Sequence, residues 1–136
     1  MAEFFKTAGP EELIRLFNEP AWFAGQNHMH ITEASPEFAA GTAEVDSTSM
    51  DPTGAVHKGV YATLMDTAAA IAALATGKGC VTLNCENHYL EAVTQPCTLR
   101  GEAHLISHDG DIYTYRTVVR REDLMIAMGT YTIYLL

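Results

Sequence analysis

The chain has 136 residues and a formal net charge of −9, and 48% of its residues are hydrophobic against 18% charged. This length fits a single domain, residues 1–136, and the composition argues against intrinsic disorder. The negative charge argues against a nucleic-acid partner and against binding to an anionic membrane, because both require a basic face on the protein.

The N-terminal sequence and the cysteine spacing indicate in which cellular compartment the protein is expected. The opening sequence MAEFFKTAGPEELIRLF has no apolar core after a basic start, so we predict no signal peptide. The longest apolar stretch, residues 59–77, contains Asp66 and many alanines, which makes it a poor membrane span. Cys80, Cys85 and Cys97 lack the spacing of a disulfide framework, so we expect reduced thiols and a cytoplasmic protein.

The first third of the chain predicts a helix and two strands. The segment GPEELIRLFNEP has Pro10 near its start, acidic residues in its first turn and Pro20 at its end, which is typical of a short helix. The segment NHMHITEASPEFAAGTAEV predicts two strands that turn at Ser35 and Pro36. The next segment, STSMDPTGAVHKG, is rich in turn residues.

A long apolar helix is predicted from about His57 to Thr76, with glycines after it. It is apolar on nearly all sides and therefore needs cover on nearly all sides. A curved antiparallel sheet would supply much of that cover, and a second subunit could supply the remainder. Asp66 is the only charged residue between Gly59 and Gly77.

The rest of the chain predicts four strands. They are CVTLNCENHYLEAV, CTLRGEAHLIS, DIYTYRTVVRRED and LMIAMGTYTIYLL, with a break at residues 95–96 and a hairpin turn at residues 109–110. No crossover helix separates them, which favours antiparallel pairing. The predicted fold class is therefore α+β.

Asp66 lies on a helix stripe of small residues that recur at three- and four-residue steps: Gly59, Ala62, Thr63, Asp66, Ala70 and Ala73. An unpaired buried carboxylate costs several kcal/mol or takes up a proton. One interpretation is a structural or solvent-facing Asp. The other is a general base or nucleophile that lines a cleft.

The start of this helix is a second candidate feature. In GAVHKGVY a glycine-containing turn leads directly into the helix, whose first amides have no partner inside the helix. Such a terminus suits an anion or a developing oxyanion. Alternatively, His57 is a helix cap and Gly59 allows close packing.

Together these segments resemble the signature of hotdog-fold acyl-CoA thioesterases of the phenylacetate, PaaI-like, branch. The helix signature is His-Gly-Gly, a few apolar residues, Leu-x-Asp and then small residues, and it is matched in register by Gly54, His57, Gly59, Leu64 and Asp66. The following strand also resembles the family, with Thr82 at the hydroxyl position and Tyr89 at the aromatic one. The resemblance extends from about residue 38 to the end.

The resemblance implies a hotdog fold, in which five to six antiparallel strands wrap the long helix and two chains pair with active sites at their interface. In such a site the amide of Lys58, with Gly59 beside it, polarises the thioester carbonyl. Asp66 of the partner chain activates water or attacks directly, and Thr82 is an accessory hydroxyl. The implied protein is a homodimer or homotetramer that hydrolyses an aryl- or medium-chain acyl-CoA and needs no cofactor beyond the CoA of its substrate.

Two residues depart from the family pattern. Lys58 replaces the first glycine after His57, and its side chain would either crowd the cleft or help to hold an anionic substrate. Asp51 stands where some members have Asn to orient water, and it would add a second negative charge if it lies close to Asp66. The alternative functions are a non-catalytic acyl-CoA-binding hotdog protein and a hotdog dehydratase or isomerase.

Two weaker patterns are candidates for a metal site and for a phosphate contact. His28 and His30 would lie on one side of a strand, as a metal site requires, but with no third ligand nearby we predict exposed histidines and no metal. Arg120 and Arg121 could contact CoA phosphates, although a solvated strand end is the favoured interpretation.

Overall fold

A computed structural model of the chain describes residues 8–136. The described part opens with two short helices, α1 (Pro10–Phe17) and α2 (Phe23–Gln26). Helix α1 is the one predicted: a proline occupies its first turn, the acidic Glu11 and Glu12 follow, and its buried residue is Leu13. Helix α2 was not predicted, because four residues are too few to display a helical period.

The long helix α3 (Lys58–Leu74) confirms the predicted central helix. His57 is its N-cap residue and Ala75 its C-cap residue, so the helix is slightly shorter than predicted. Gly77 follows with φ of 86°, a left-handed conformation that glycine adopts without strain and that ends the helix. Nine helix residues are buried, namely Tyr61, Leu64, Met65, Ala68, Ala69, Ile71, Ala72, Ala73 and Leu74.

The strands are β1 (Met29–Ala34), β2 (Phe38–Val45), β3 (Cys80–Tyr89), β4 (Cys97–Asp109), β5 (Ile112–Arg121) and β6 (Leu124–Leu135). They form a single six-stranded sheet in the order β1-β2-β4-β5-β6-β3, and every neighbouring pair is antiparallel. The predicted turn at residues 35–36 separates β1 from β2, and the predicted hairpin turn falls at residues 110–111, one residue later than expected. Strand β3 enters the sheet after helix α3 and pairs only with β6, so it forms one edge.

The core lies between helix α3 and the sheet, and the helix contacts all six strands. A Cβ on Gly101 of β4 would lie 2.5 Å from Cγ of Leu64, so glycine at this position lets the helix pack closely on the sheet. The helix is thus wrapped by the sheet, as the α+β hotdog prediction requires. That prediction of fold class is confirmed.

No helix of residues 8–136 is long and apolar enough to cross a membrane. The expected absence of a signal peptide rests partly on residues 1–7, which lie outside the described residues. The assignment of residues 1–136 to one domain stays a prediction for the same reason.

Candidate active site

Asp66 and Thr82 are brought together by the fold. Asp66 lies half-buried in the middle of α3, and the Thr82 hydroxyl on edge strand β3 donates a hydrogen bond of 2.9 Å to its Oδ1. Among the described residues, no hydrogen bond reaches Oδ2 of Asp66. One carboxylate oxygen is therefore held by the strand, and the other is free to receive a proton from water.

A β-bulge in β3 sets which side chains face the helix. The register with β6 shifts between Thr82 and Asn84, so Leu83 is the extra residue. Before the bulge, Cys80 and Thr82 face α3, since the Cys80 Sγ lies 3.8 Å from the Ala70 carbonyl oxygen. After the bulge the odd-numbered residues face α3. The Tyr89 ring shows this, since it packs against Tyr61 of the helix with ring centroids 6.2 Å apart. The bulge ends the even-numbered run at Thr82, opposite Asp66.

The stripe of small residues is the open side of the helix. Its members from Gly59 to Ala70 are half-buried, whereas Ala73 is fully buried. Asp66 therefore lies on an accessible surface between α3 and β3 and not in the sealed core. This position is compatible with a cleft carboxylate and explains why the chain tolerates it without an ion-pair partner.

At the helix start, the His57 side chain accepts a hydrogen bond from one of the two amides that were predicted as oxyanion donors. Its ring Nδ1 accepts a hydrogen bond of 2.8 Å from the Gly59 N–H. A Cβ on Gly59 would lie 2.8 Å from the same Nδ1, so glycine lets the imidazole fold over the helix end. His57 is therefore a helix cap, as the alternative interpretation expected, and an oxyanion role for the helix start stays a prediction.

The remaining amide belongs to Lys58, the first residue of α3. No backbone or side-chain acceptor within residues 8–136 receives its N–H, as expected for a first helical residue. Positive φ among the described non-glycine residues is confined to His28 and Glu122, so Lys58 replaces the family's glycine without backbone strain. Its side chain is exposed.

Asp51 is held by its own turn. Its Oδ1 accepts hydrogen bonds from the hydroxyl and, at 2.8 Å, from the N–H of Thr53, while its own N–H donates to the Ala55 carbonyl. The Thr53 hydroxyl and then the Thr53 amide lower the pKa of Asp51, and the charges of His57 and Lys58 contribute less. The expected effect of Asp51 on Asp66 stays a prediction.

Two of the predicted catalytic groups are far apart within one chain. Lys58 and Asp66 are separated by eight helical positions, about 12 Å along the axis at roughly 1.5 Å per residue. An oxyanion donor and a base acting on one carbonyl must both lie within about 3 Å of the reacting atoms. One chain does not supply both groups to one substrate.

A cavity of about 400 Å³ opens beside the helix start, and sequence reasoning missed it. Its walls come from α2 and the residues after it (Phe23, His28), from the segment before the long helix (Met50) and from that helix itself (Gly59, Val60, Thr63). No local pattern predicts the cavity, because the wall from α2 is distant in sequence from the other two.

The predicted placement of two histidines on one strand face is wrong. His28 precedes β1 with φ of 58°, because its N–H closes the end of α2 on the Gly25 carbonyl, whereas His30 lies within β1. Within residues 8–136, no group of three or more His, Cys, Asp or Glu side chains could hold a metal ion.

The arginines at the end of β5 are half-buried. Arg121 lies near the Cys97 thiol, whose pKa is raised by burial against the opposing effect of the arginine. A contact of Arg120 or Arg121 with CoA phosphates stays a prediction.

Comparison with known proteins identifies a family that matches more than half of the chain. The family model described as the thioesterase superfamily matches residues 53–127, which include the helix start, Asp66 and Thr82. No curated protein sequence matches the chain significantly.

Solved structures with the same fold include a mutant of the phenylacetic acid degradation protein PaaI from Thermus thermophilus. It is 25% identical with a TM-score of 0.80, over 84% of this chain and 98% of that one. A thioesterase from Haemophilus influenzae is 23% identical with a TM-score of 0.80, over 96% and 92% of the two chains. A hypothetical thioesterase from Streptococcus pneumoniae, solved with coenzyme A, is 19% identical with a TM-score of 0.74, over 79% and 85%.

Proposed function

The chain belongs to the thioesterase superfamily, and we propose that it hydrolyses an aryl- or medium-chain acyl-CoA to the free acid and CoA. The observation that carries this proposal is the pair of Asp66 and Thr82. A carboxylate oriented by one hydroxyl, on the open side of an otherwise apolar helix, is arranged as a general base or nucleophile.

The proposed reaction needs no cofactor. The Lys58 N–H donates to the carbonyl oxygen of the thioester and stabilises the negative charge that develops there. Asp66 accepts a proton from water as the water oxygen bonds to the acyl carbon. The C–S bond then breaks, and the proton passes to the CoA sulfur. In the nucleophilic variant, Asp66 itself bonds to the acyl carbon and the C–S bond breaks to release the CoA thiolate. Water then cleaves the resulting anhydride, which yields the free acid, regenerates the Asp66 carboxylate and supplies the proton that the CoA sulfur takes up.

We further propose that Lys58 of one chain and Asp66 of another form each site. The separation of about 12 Å along one helix, at roughly 1.5 Å per residue, supports this arrangement. Edge strand β3 is suited to the pairing because it has an open edge and exposes Val81 and Leu83 at 46% and 53%. The assembly would be a homodimer or a dimer of dimers.

A second candidate is an acyl-CoA-binding protein without turnover. It is favoured by Asp51, one of whose carboxylate oxygens is engaged by Thr53 in its own turn and is not available to orient water. The two candidates differ in whether Asp66 is needed for more than binding.

A thiol-release assay of the purified protein against a panel of acyl-CoAs tests the proposal. Release that depends on Asp66 is expected for an aryl- or medium-chain acyl group. Tight binding of the same acyl-CoAs with no release would favour the second candidate instead.

A further inference from the structure

We propose that Tyr131 is a positioning residue for Asp66, because its buried hydroxyl anchors the helical turn that carries the carboxylate. Tyr131 lies on β6, directly beside the edge strand β3, and its hydroxyl donates a hydrogen bond of 3.3 Å to the Ala62 carbonyl of α3. This inference rests on the proposed thioesterase function and deepens it by naming a residue that acts on the reaction through Asp66.

The Ala62 carbonyl is also the acceptor for the backbone of Asp66. In an α-helix each N–H donates to the carbonyl four positions earlier, so within α3 the Asp66 N–H donates to the Ala62 oxygen. A carbonyl oxygen has two lone pairs and can accept from both donors. The Tyr131 hydroxyl and the Asp66 amide therefore meet on one oxygen atom. Movement of this turn away from the sheet would stretch the hydrogen bond from Tyr131.

Three polar contacts join the open side of α3 to strands β3 and β6, and we call them the polar seam. They are the hydrogen bonds from the Tyr131 hydroxyl to the Ala62 carbonyl, from the Thr82 hydroxyl to Asp66, and, at 3.8 Å, from the Cys80 thiol to the Ala70 carbonyl. Their helix positions are four residues apart and therefore lie along one line of the helix surface. Asp66 is the middle member, so the turns before and after it are both attached to the sheet.

The open side of α3 depends on these contacts because its side chains are small. Ala62, Asp66 and Ala70 are half-buried, whereas larger side chains of the helix, such as Leu64 and Met65, are fully buried in the core. A side chain that ends at a single methyl group buries little apolar area and contributes little to holding its turn against the sheet. Hydrogen bonds from the sheet therefore fix this side of the helix, and with it the position of the Asp66 carboxylate.

Tyr131 acts by position and not by chemistry. Its side chain is 1% exposed, so it does not touch a substrate. Burial raises the pKa of its hydroxyl against the opposing hydrogen bond from Asn87, and the charges of Cys85 and Asp66 act in the same direction as burial. The hydroxyl therefore keeps its proton at neutral pH and remains a hydrogen-bond donor.

Tyr115 is a matched comparison on the neighbouring strand. It lies directly opposite Tyr131 in the pairing of β5 with β6, so both side chains are on the helix-facing side of the sheet, and it is also fully buried. Its hydroxyl donates to a backbone carbonyl as well, that of Pro36, at 2.9 Å. Pro36 belongs to the turn between β1 and β2. The two tyrosines thus differ in which segment they anchor.

Tyr131→Phe and Tyr115→Phe test the inference by turnover. Each substitution removes one hydroxyl and keeps the ring, so both variants should fold with similar falls in melting temperature. Tyr131→Phe should lower kcat by about three- to tenfold with KM within about twofold, because only the placement of Asp66 changes. Tyr115→Phe should keep kcat within about twofold of wild type. Equal losses of kcat in the two variants would overturn the inference.

The Asp66→Asn background tests whether Tyr131 acts through Asp66. Tyr131→Phe should cause no further loss of the residual kcat there, because the carboxylate that it positions is already absent. A loss as large as in the wild-type background would assign Tyr131 a general structural role and contradict the inference.

Amide hydrogen exchange separates this inference from the proposed function, because it needs no turnover. In the wild type, the Asp66 N–H should exchange more slowly than that of Thr67, whose acceptor, the Thr63 carbonyl, receives no side-chain donor within residues 8–136. Tyr131→Phe should speed exchange at Asp66, whereas Tyr115→Phe should not. Absence of both effects would overturn the positioning role even in an active thioesterase. Both effects in a protein that hydrolyses no acyl-CoA would support the anchor and refute only the hydrolysis.

Discussion

The Thr82 hydroxyl donates to Oδ1 of Asp66 across 2.9 Å and thereby joins the middle of the central helix to the open edge of the sheet. A hydrogen bond to a carboxylate is worth roughly 1.5–3 kcal/mol when one partner is charged. It orients the carboxylate and leaves its second oxygen free of protein donors within residues 8–136.

Substitution at this pair should separate catalysis from folding. Asp66→Asn is expected to lower kcat by about 100-fold or more, the scale of a lost general base, with a melting temperature that is unchanged or raised. Thr82→Val should lower kcat by about tenfold, and it should add little in the Asp66→Asn background because the two residues act together. Thiol release and thermal unfolding measure both quantities.

The controls for this pair are Asp123→Asn and Thr130→Val, which change exposed residues of the same types away from Asp66. Both should retain wild-type turnover. Near-normal turnover by purified Asp66→Asn would refute the role of Asp66.

The Lys58 N–H can be deleted without breaking the helix. Lys58 is the first helical residue, a position that favours proline, and His57 has φ of −59° and ψ of 133°, which suits a residue before proline. Lys58→Pro should therefore fold normally but lose about 100-fold in kcat, as for one oxyanion donor, whereas Lys58→Ala should stay active. Circular dichroism and thiol release give the two readouts.

Mixing Lys58→Pro and Asp66→Asn chains tests whether the site is shared. In a heterodimer one site would contain both intact groups, so random reassociation of equal amounts should restore about a quarter of the wild-type sites. If both groups acted within one chain, every site in the mixture would lack one of them and no activity would return.

The Lys58 side chain is expected to be dispensable for the carbonyl, since the backbone supplies the donor. Lys58→Gly should keep or raise kcat on neutral acyl-CoAs, because it restores the family's residue and keeps the backbone N–H at the helix start. A selective increase in KM of about ten- to a hundredfold for anionic acyl-CoAs would instead assign the ammonium to substrate binding. Equal effects on neutral and anionic substrates would exclude that assignment.

Edge strand β3 should mediate subunit pairing. Leu83→Lys introduces a charge at a bulge residue that is 53% exposed, and it should convert the oligomer to a monomer without turnover. Leu124→Lys changes a residue of similar exposure, 45%, at the start of β6 and should leave the oligomer intact. Light scattering distinguishes the states, and a stable, active monomer would contradict the shared site.

The hydrogen bonds from Thr53 should make part of the stability depend on pH. They lower the pKa of Asp51 in the folded state. Their contribution to stability is therefore present above the unfolded-state pKa of about 3.9 and is lost as pH falls through the folded-state pKa. Thr53→Val should therefore lower the melting temperature at about pH 7, with the difference from wild type shrinking towards about pH 3. Thr130→Val should show no such trend.

Local patterns predicted most of the secondary structure. Prolines and acidic residues marked α1, the apolar run from 59 to 77 marked α3, and alternating residues between turns marked all six strands. Helix α2 and the left-handed His28 escaped prediction because a single helical turn has no period and its closure depends on the packing of Gly25 against Glu19.

The sequence by itself determined the composition of the site. An isolated Asp66 on a helix of small residues and a glycine-containing helix start at His57 could be identified from residue types and their spacing, whereas Thr82 was identified only through the resemblance to the thioesterase family. The first two features depend on periods and termini, which are local properties of the chain.

Tertiary structure alone decided which of these groups meet. The bulge at Leu83 exists only because β3 pairs with β6, and it directs Thr82 towards Asp66 across 16 positions of sequence. His57 folds back onto the Gly59 amide, which leaves Lys58 as the free donor at the helix start. The cavity beside the helix start likewise needs α2 and the start of α3 in one place, because contacts between distant segments arise from packing and not from local propensity.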